Sequence, residues 1–266
     1  MKRLFIASTM VAAFAFTMAW FAARPSSLEA QAAQRGAAPT TAANTAVAAD
    51  VPKMPDGKPD LSGVWWGGAD VGPRLPRGAR GPTFQSLYQP WAAEKAKTLS
   101  DKDDPTLKCI PVAFGTLNVS MYNVGAVAQI VANPKFVVML SETFHGFQLI
   151  PTDGRAHRED IPPAYRGDSV GHWEGDTFVV DTKNFTEDTW MSAEGRVSFH
   201  SDQLHIVERY RRINKNTLEV EARIEDPKVL TGPWIVPKQT LQLAPFDQIM
   251  ALNCSGFETQ AAIGAK

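Results

Sequence analysis

From residue 61 onward the pattern of apolar and polar positions is mostly that of short strands, and in residues 204–211 and 218–225 the two kinds alternate with a period of two. This period is typical of half-buried β-strands, because successive side chains of a strand point to opposite faces. Turn residues separate the strand segments at 133–134, 152–155 and 174–176, which predicts hairpins. Only residues 89–99 have the alanine, glutamate and lysine content of a helix. Many short strands with one short helix predict an all-β fold, and we expect an antiparallel β-barrel.

Residues 204–212 and 217–225 form the predicted hairpin nearest the C-terminus, and their charged residues predict how the two strands pair. If Arg209 and Arg211 face Glu221 and Glu219, the opposite charges stabilise the pair of strands and form a solvated outer face. The same register places Glu208 on the other, apolar face. Periodicity does not explain one carboxylate among leucine, isoleucine, tyrosine and valine side chains, so Glu208 is our first candidate for a functional group.

The N-terminus has the pattern of a secretory signal peptide. Lys2 and Arg3 precede an apolar run over residues 4–23, and residues 30–32 read Ala-Gln-Ala, as at a cleavage site. We assign residues 1–32 to the signal peptide. The apolar run is also long enough to span a bilayer, so a retained N-terminal anchor is the alternative. In both cases we expect the rest of the protein in the periplasm or secreted.

Residues 33–50 contain almost no charge and no aromatic side chain, which predicts a flexible linker. Residues 51–266 are long enough to form a substantial core, and we assign them to a single β-barrel domain with long N-terminal loops. Two cysteines, Cys109 and Cys254, favour one disulfide in an oxidising compartment, with two buried thiols as the alternative.

Composition argues against nucleic acid as a partner. The chain has 27 basic and 28 acidic residues and no concentrated basic run, whereas nucleic-acid binding needs a positive footprint. No glycine-rich nucleotide motif is present, and we expect no cofactor.

All five histidines lie between residues 145 and 205, where proton transfer or metal binding would be sought first. Arg155 and His157 share a face if their segment is extended, and such a pair would hold a carbonyl or anionic oxygen beside a proton donor. The spacing of His200 and His205 matches no zinc motif. We therefore assign no metal site, although one assembled across strands from these histidines stays open.

Burial would raise the pKa of Glu208, and a carboxyl group that titrates near neutral pH suits general acid or base catalysis. The alternative is a buried ion pair with Arg155, Arg196 or Arg211, which would keep Glu208 ionised. The candidate catalytic residues are Glu208, His157 and His205, and the candidate ligand-binding residues are Arg155, His145, Tyr210, Trp173 and Trp190.

Residues 171–182 read G-H-W-E-G-D-T-F-V-V-D-T. With the segments D-G-R-A-H and L-H-I-V-E-R-Y-R-R, they resemble a family of secreted bacterial proteins that carry the motif G-x-W-E-G-D-T-x-V-V-D-T. The resemblance implies an exported, single β domain. The chain departs from the family at Gln148, where an arginine is usual. The G-x-W pattern at 63–65 also resembles the first strand of lipocalin-type barrels, so we expect a lipocalin-like (calycin-like) barrel.

Together these features predict an exported barrel whose interior binds a small, largely apolar or amphipathic organic molecule. Cofactor-independent acid/base chemistry, of the isomerase, lyase or hydrolase type, fits the candidate residues best. The alternatives are a non-catalytic periplasmic binding or carrier protein and a structural envelope protein. We expect membrane contact only if the N-terminal helix is retained, and the sequence predicts no oligomeric state.

Overall fold

The computed structural model describes residues 50–66, 82–115, 127–142, 144, 146–191 and 197–250. Nine β-strands in these residues form one antiparallel sheet. The strands are β1 (Gly63–Trp66), β2 (Ala128–Ala132), β3 (Phe136–Ser141), β4 (Phe147–Pro151), β5 (Asp168–Glu174), β6 (Thr177–Lys183), β7 (His205–Asn214), β8 (Thr217–Glu225) and β9 (Trp234–Leu243). The helices are α1 (Pro90–Lys97) and the 3-10 helices Phe84–Leu87, Asp101–Asp103 and Pro105–Lys108.

The sheet curls into a nearly closed barrel. Its strand order is β4-β3-β2-β1-β9-β8-β7-β6-β5. Strands that are consecutive in the chain pair with each other, with the exception of β4 and β5, which form the two edges of the sheet. The last strand, β9, pairs with the first, β1. The edge strands β4 and β5 contact one another. The predicted all-β barrel is therefore confirmed, and its up-and-down order is that of lipocalin-type barrels.

Side chains bridge the gap between the two edge strands, which we call the β4–β5 seam. Gln148 Nε2 on β4 donates to Ser169 Oγ on β5 at 3.1 Å. The Ser169 hydroxyl is in turn 2.9 Å from Thr182 Oγ1 on β6. The Gln148–Ser169 hydrogen bond thus crosses the seam, and just beyond β4 the Gly154 N–H donates to the Gly171 carbonyl oxygen of β5 at 2.9 Å.

The predicted register of the β7–β8 hairpin is confirmed. Arg209 lies opposite Glu221, and Arg211 lies opposite Glu219. Lys238 on β9 extends this charged outer face with an ion pair to Glu221 at 2.8 Å. Because the charges of both signs occupy the outward positions, the inward positions of the same strands are left for the core.

The barrel interior has two unlike parts. On β8, β9, β1 and β2, all buried inward-facing residues are apolar: Leu218, Val220, Ala222, Ile224, Trp234, Val236, Leu241, Trp65, Ala128 and Ile130. We call this part the apolar half. On β4 to β7, buried polar residues occupy inward positions: Gln148 on β4, Ser169 on β5, Thr182 on β6, and Glu208, Tyr210 and Arg212 on β7. We call this set the polar band.

Several expectations fall on residues that the structure does not describe. The predicted signal peptide, nearly all of the predicted linker and Cys254 lie outside the described residues. Cys109 ends the 3-10 helix Pro105–Lys108 with a φ of 62°, and the disulfide stays a prediction. Among the described helices, none has the length and apolar character needed to cross a bilayer.

Candidate functional site

Glu208 is the centre of the candidate site. Its side chain points into the barrel from β7 and the residue is 5% exposed. Its neighbours across the sheet are Val180 on β6 and Ala222 on β8. Glu208 Oε1 accepts a hydrogen bond from the Tyr210 hydroxyl at 2.7 Å. Residues 208 and 210 share a face because the strand period is two, so the sequence itself brings the carboxyl and the phenol together.

This environment changes the acidity of both groups. Burial raises the pKa of Glu208 to about 7, and the Tyr210 hydrogen bond and the charge of Arg166 oppose that rise only in part. Burial, with the adjacent Glu208 carboxylate, also raises the pKa of Tyr210 well above its ordinary value. At neutral pH, Glu208 is therefore divided between its acid and carboxylate forms, whereas Tyr210 keeps its proton. A carboxyl in this state suits proton transfer in either direction.

Arg166 is the arginine whose charge acts on Glu208. It lies two residues before the first residue of the seam strand β5 and is 8% exposed. Burial lowers the pKa of its guanidinium to about 10, with the charge of Glu208 acting in the opposite direction. The guanidinium therefore stays charged at neutral pH. Of the arginines that the sequence suggested instead, Arg155 pairs with Asp153, Arg211 faces outward and Arg196 lies outside the described residues.

Gly146 makes room for the Arg166 side chain, and Gly167 allows the backbone turn that follows Arg166. A Cβ atom at Gly146 would overlap the Arg166 guanidinium, so no other residue fits there without moving it. Gly167 has a φ of +67°, in the left-handed region that favours glycine, and a Cβ there would lie 2.5 Å from the Lys183 carbonyl oxygen. The backbone oxygen of Arg166 also accepts from Gln148 Nε2 at 3.4 Å. Arg166 is thus held beside the β4–β5 seam.

The two candidate catalytic histidines meet at one carboxylate on the outside of the barrel. His157 Nε2 and His205 Nε2 lie 2.9 and 3.0 Å from the same oxygen, Asp181 Oδ1. His157 Nδ1 also lies 3.0 Å from Asp168 Oδ2, and His205 Nδ1 lies 3.6 Å from Glu225 Oε2. We call these five residues the outer histidine network.

The network holds its central carboxylate in the charged form. Burial alone would raise the pKa of Asp181, but hydrogen bonds from His205 and His157 outweigh it and lower the pKa to about 2. A carboxylate only accepts hydrogen bonds, so His157 bonds to both Asp181 and Asp168 only when both of its ring nitrogens carry protons. Through these contacts His157 ties the segment before β5 to the outer faces of β5 and β6.

The structure does not bring the three candidate catalytic residues together. His205 and Glu208 are three positions apart on β7, and an odd spacing on a strand sends two side chains to opposite faces. The Asp181 side chain that binds His157 likewise points outward, whereas its neighbour Val180 points inward beside Glu208. The sheet itself therefore separates the histidines from Glu208, and the expected joint site is not formed.

The candidate ligand-binding residues also lie in different places. Tyr210 is in the polar band with Glu208. Trp173 faces inward near the end of β5, with its ring centroid 5.1 Å from that of Phe178. Trp190 is a buried core residue that bridges to Phe199 outside the barrel strands.

Arg155 and His157 do not form the expected pair. Arg155 is exposed, and its guanidinium binds Asp153 two residues earlier. His157 turns instead to the outer histidine network. His145 lies outside the described residues.

Sequence reasoning missed Arg166, Ser169 and Thr182 as parts of the site. Ser169 and Thr182 carried a signal, because the turn at 175–176 pairs Glu174 with Thr177 and so places Ser169 opposite Thr182. No such signal marks Arg166, since it precedes β5 in a segment without strand periodicity. Its position depends on the approach of β4 to β5.

Within the described ranges, no three histidine, cysteine, aspartate or glutamate side chains are arranged to hold a metal ion. No family model, no curated protein and no solved structure matches this chain. The resemblance to the secreted family therefore stays a prediction, and the functional argument depends on the site itself.

Proposed function

We propose that this protein is an exported β-barrel that binds a small, largely apolar organic molecule in its interior, and that Glu208 exchanges a proton with that molecule. One observation carries the proposal. Glu208 is a buried carboxyl, with its pKa raised to about 7, between the apolar cross-strand neighbours Val180 and Ala222. Groups with strongly shifted pKa values are concentrated at functional sites.

A purely structural role explains Glu208 less well. Ionising a buried carboxyl is costly unless a cation binds it directly. Among the described residues, no salt bridge joins Glu208 to an arginine or lysine, and the charge of Arg166 lowers the pKa of Glu208 less than burial raises it. A leucine or glutamine at this position would fill the space without that cost. The carboxyl therefore supports a role that needs a titrating group.

The chemistry follows from the neighbours of the carboxyl. As a base, Glu208 accepts a proton from a C–H or O–H group of the bound molecule, and as an acid it returns the proton to another atom. The Tyr210 hydrogen bond fixes the orientation of the carboxyl and partly stabilises its charged form. Isomerisation and elimination need only such a transfer, and hydrolysis would need a water molecule beside Glu208.

A carrier that binds the same molecule without turnover is the second candidate. The observation that favours it is the position of His157 and His205, which lie outside the barrel and so leave Glu208 without a histidine partner in the described interior. In a carrier, Glu208 and Tyr210 would serve as hydrogen-bonding groups for a ligand oxygen.

The test compares Glu208→Gln with Glu221→Gln, which removes the same charge from the exposed outer face of β8. The probe is 5-nitrobenzisoxazole, a small apolar molecule that a carboxylate base opens to a coloured phenolate. We expect the wild-type rate to rise with pH through about 7. We expect E208Q to be slower by about 100-fold or more, the usual contribution of general base catalysis, and E221Q to be unchanged.

Binding of the same probe is measured in parallel by quenching of tryptophan fluorescence. Binding without turnover in the wild-type protein would favour the carrier. If the wild-type protein neither bound nor converted the probe, interior binding of small apolar molecules would be contradicted. Far-UV circular dichroism shows whether E208Q is folded.

A further inference from the structure

We propose that the outer face of β2, β3 and β4 binds a second copy of this chain and forms a two-fold symmetric dimer. The inference concerns the outside of the barrel, so it does not depend on the proposed chemistry of the interior. We call the outward positions of these three strands the β2–β4 outer face, and they are Gln129, Val131, Phe136, Val138, Leu140, Phe147, Leu149 and Pro151. All of them except Gln129 are apolar.

The strand register joins these side chains into one surface. In one row, Val138 on β3 lies between Val131 on β2 and Leu149 on β4. In the row beside it, Leu140 lies opposite Phe147. Because cross-strand neighbours on one face are about 5 Å apart, their side chains form a continuous apolar patch. Much of that patch meets solvent, since Phe147 is 65% exposed and Leu149 is 56% exposed.

The β7–β8 hairpin shows how a solvated outer face of the same barrel is built. Its outward positions carry side chains of opposite charge, such as Arg209 opposite Glu221. The β2–β4 outer face carries no charged side chain at all. An antiparallel sheet that faces water is ordinarily polar on that face, and a contiguous exposed apolar patch marks an interaction site.

The charged residues at the two ends of β3 favour a second copy as the occupant. Lys135 is exposed and directly precedes β3, and Glu142 directly follows it. In the part of the chain that the structure describes, no carboxylate pairs with the Lys135 ammonium. A two-fold axis that lies between the two copies and crosses β3 at right angles makes their β3 strands antiparallel. Lys135 of each copy then meets Glu142 of the other, at both ends of the interface.

A membrane surface matches the same residues less well. Membranes with anionic lipids attract basic side chains around an apolar patch. One end of the β2–β4 outer face is instead acidic, because Glu142 lies there and the backbone oxygen of Asp247 accepts from Gln129 Nε2 at 3.4 Å. One basic and one acidic end complement a second copy in the antiparallel arrangement.

The size of the face predicts a weak dimer. Three strands about 4.8 Å apart, of about six residues at about 3.4 Å each, cover roughly 15 by 20 Å. A standard interface buries about 800 Å² on each partner, which is more than this face alone supplies. We therefore expect a dissociation constant in the micromolar range.

The test is sedimentation velocity of the full chain from about 1 to about 200 µM, a range in which a micromolar dimer dissociates and forms. Leu149→Asp puts a charge into the face and should raise the dissociation constant by at least about tenfold. Ile235→Asp is the matched control, because Ile235 is 58% exposed on β9, outside the β2–β4 outer face. This control should dimerise as the wild-type protein does.

A charge exchange tests the orientation of the two copies. Lys135→Glu and Glu142→Lys should each raise the dissociation constant by about three- to tenfold, because each places like charges together at both ends of the interface. The double variant restores opposite charges and should return to within about threefold of the wild-type value. Within one copy the two residues are about 24 Å apart along β3, so only a second copy explains such a rescue. Far-UV circular dichroism shows whether the variants are folded.

Three results would contradict the proposal. A wild-type protein that stays monomeric at about 200 µM would overturn it, and binding of that monomer to phosphatidylcholine vesicles would assign the face to a lipid surface. A dimer that Leu149→Asp and Ile235→Asp affect equally would also overturn it, because the two copies would then meet elsewhere. Failure of the double variant to recover would overturn the antiparallel arrangement.

Discussion

Glu208 and Asp181 lie on the adjacent strands β7 and β6, yet the sheet puts them in opposite environments. Glu208 points inward to apolar neighbours and one phenol, and burial raises its pKa to about 7. Asp181 points outward to two imidazoles, and although burial opposes the change, their hydrogen bonds lower its pKa to about 2. Two carboxyl groups on one sheet are thereby given different tasks: the inner one titrates near neutral pH and the outer one stays ionised.

The comparison also predicts opposite effects of pH on stability. Glu208 holds its proton in the folded state up to about pH 7 but releases it near pH 4.5 in the unfolded state, so the free energy of unfolding falls as pH rises between these values. Asp181 has the reverse sign. Its contribution is fully present above its unfolded pKa of 3.8 and is lost as pH falls toward about 2.

The largest effect is expected for Glu208→Gln, which keeps the hydrogen-bond acceptor for Tyr210 but cannot ionise. At pH 9 the variant should be more stable than the wild-type protein by about 3 kcal/mol, because the shifted pKa makes the ionised carboxyl destabilising. At pH 4 to 5 the two should be nearly equal. Urea denaturation at both pH values measures the difference. A variant that is less stable at pH 9 would indicate that Glu208 belongs to a structural ion pair.

Asp181→Asn should act in the opposite direction. An amide oxygen at this position carries no charge, so it accepts weaker hydrogen bonds from His157 and His205 than the carboxylate does, and we expect a loss of about 2 kcal/mol at pH 7, measured by urea denaturation. Asp176→Asn, in the exposed turn between β5 and β6, is the matched control and should change stability little. Equal effects of the two substitutions would show that the outer histidine network adds nothing to stability.

Tyr210→Phe tests whether the Tyr210 hydroxyl stabilises the carboxylate form of Glu208. The Tyr210 hydrogen bond lowers the pKa of Glu208, so its removal should move the titration midpoint upward by roughly half to one unit. The pH dependence of the proposed proton transfer should shift by the same amount. An unchanged midpoint would mean that the hydroxyl does not interact with the carboxylate.

The smallest effect is expected on the charged outer face. Arg211→Gln removes one partner of an exposed cross-strand pair with Glu219, and we expect it to change the unfolding free energy by less than about 0.5 kcal/mol. A substantially larger loss would show that this face is covered by another part of the protein or by a partner.

Strand periodicity in the sequence was sufficient to predict much of the fold and the pairing of Glu208 with Tyr210 in the candidate site. The opposite charges of β7 and β8 predicted their register, and that register placed Glu208 on the apolar face beside Tyr210. Local alternation and turn residues carry this information because hairpin strands pair with their neighbours in the chain.

What the sequence could not predict depends on contacts between distant segments. Arg166 reaches its position only because β4 and β5 approach each other and Gly146 leaves space for it. The grouping of His157 and His205 with Glu208 followed their closeness in sequence, whereas the strand period sends His205 and Glu208 to opposite faces. On one β-strand, residues an even number of positions apart share a face of the sheet, whereas residues an odd number apart lie on opposite faces.

The most direct test of the central claim is a pH titration of the Glu208 side-chain carboxyl by ¹³C NMR. Selective labelling of glutamate with the Glu208→Gln variant assigns the signal. The account predicts a midpoint near pH 7, well separated from the midpoints of the exposed glutamates. A midpoint at or below 4.5, the ordinary value for glutamate, would contradict it and would show a carboxylate held permanently ionised inside the barrel.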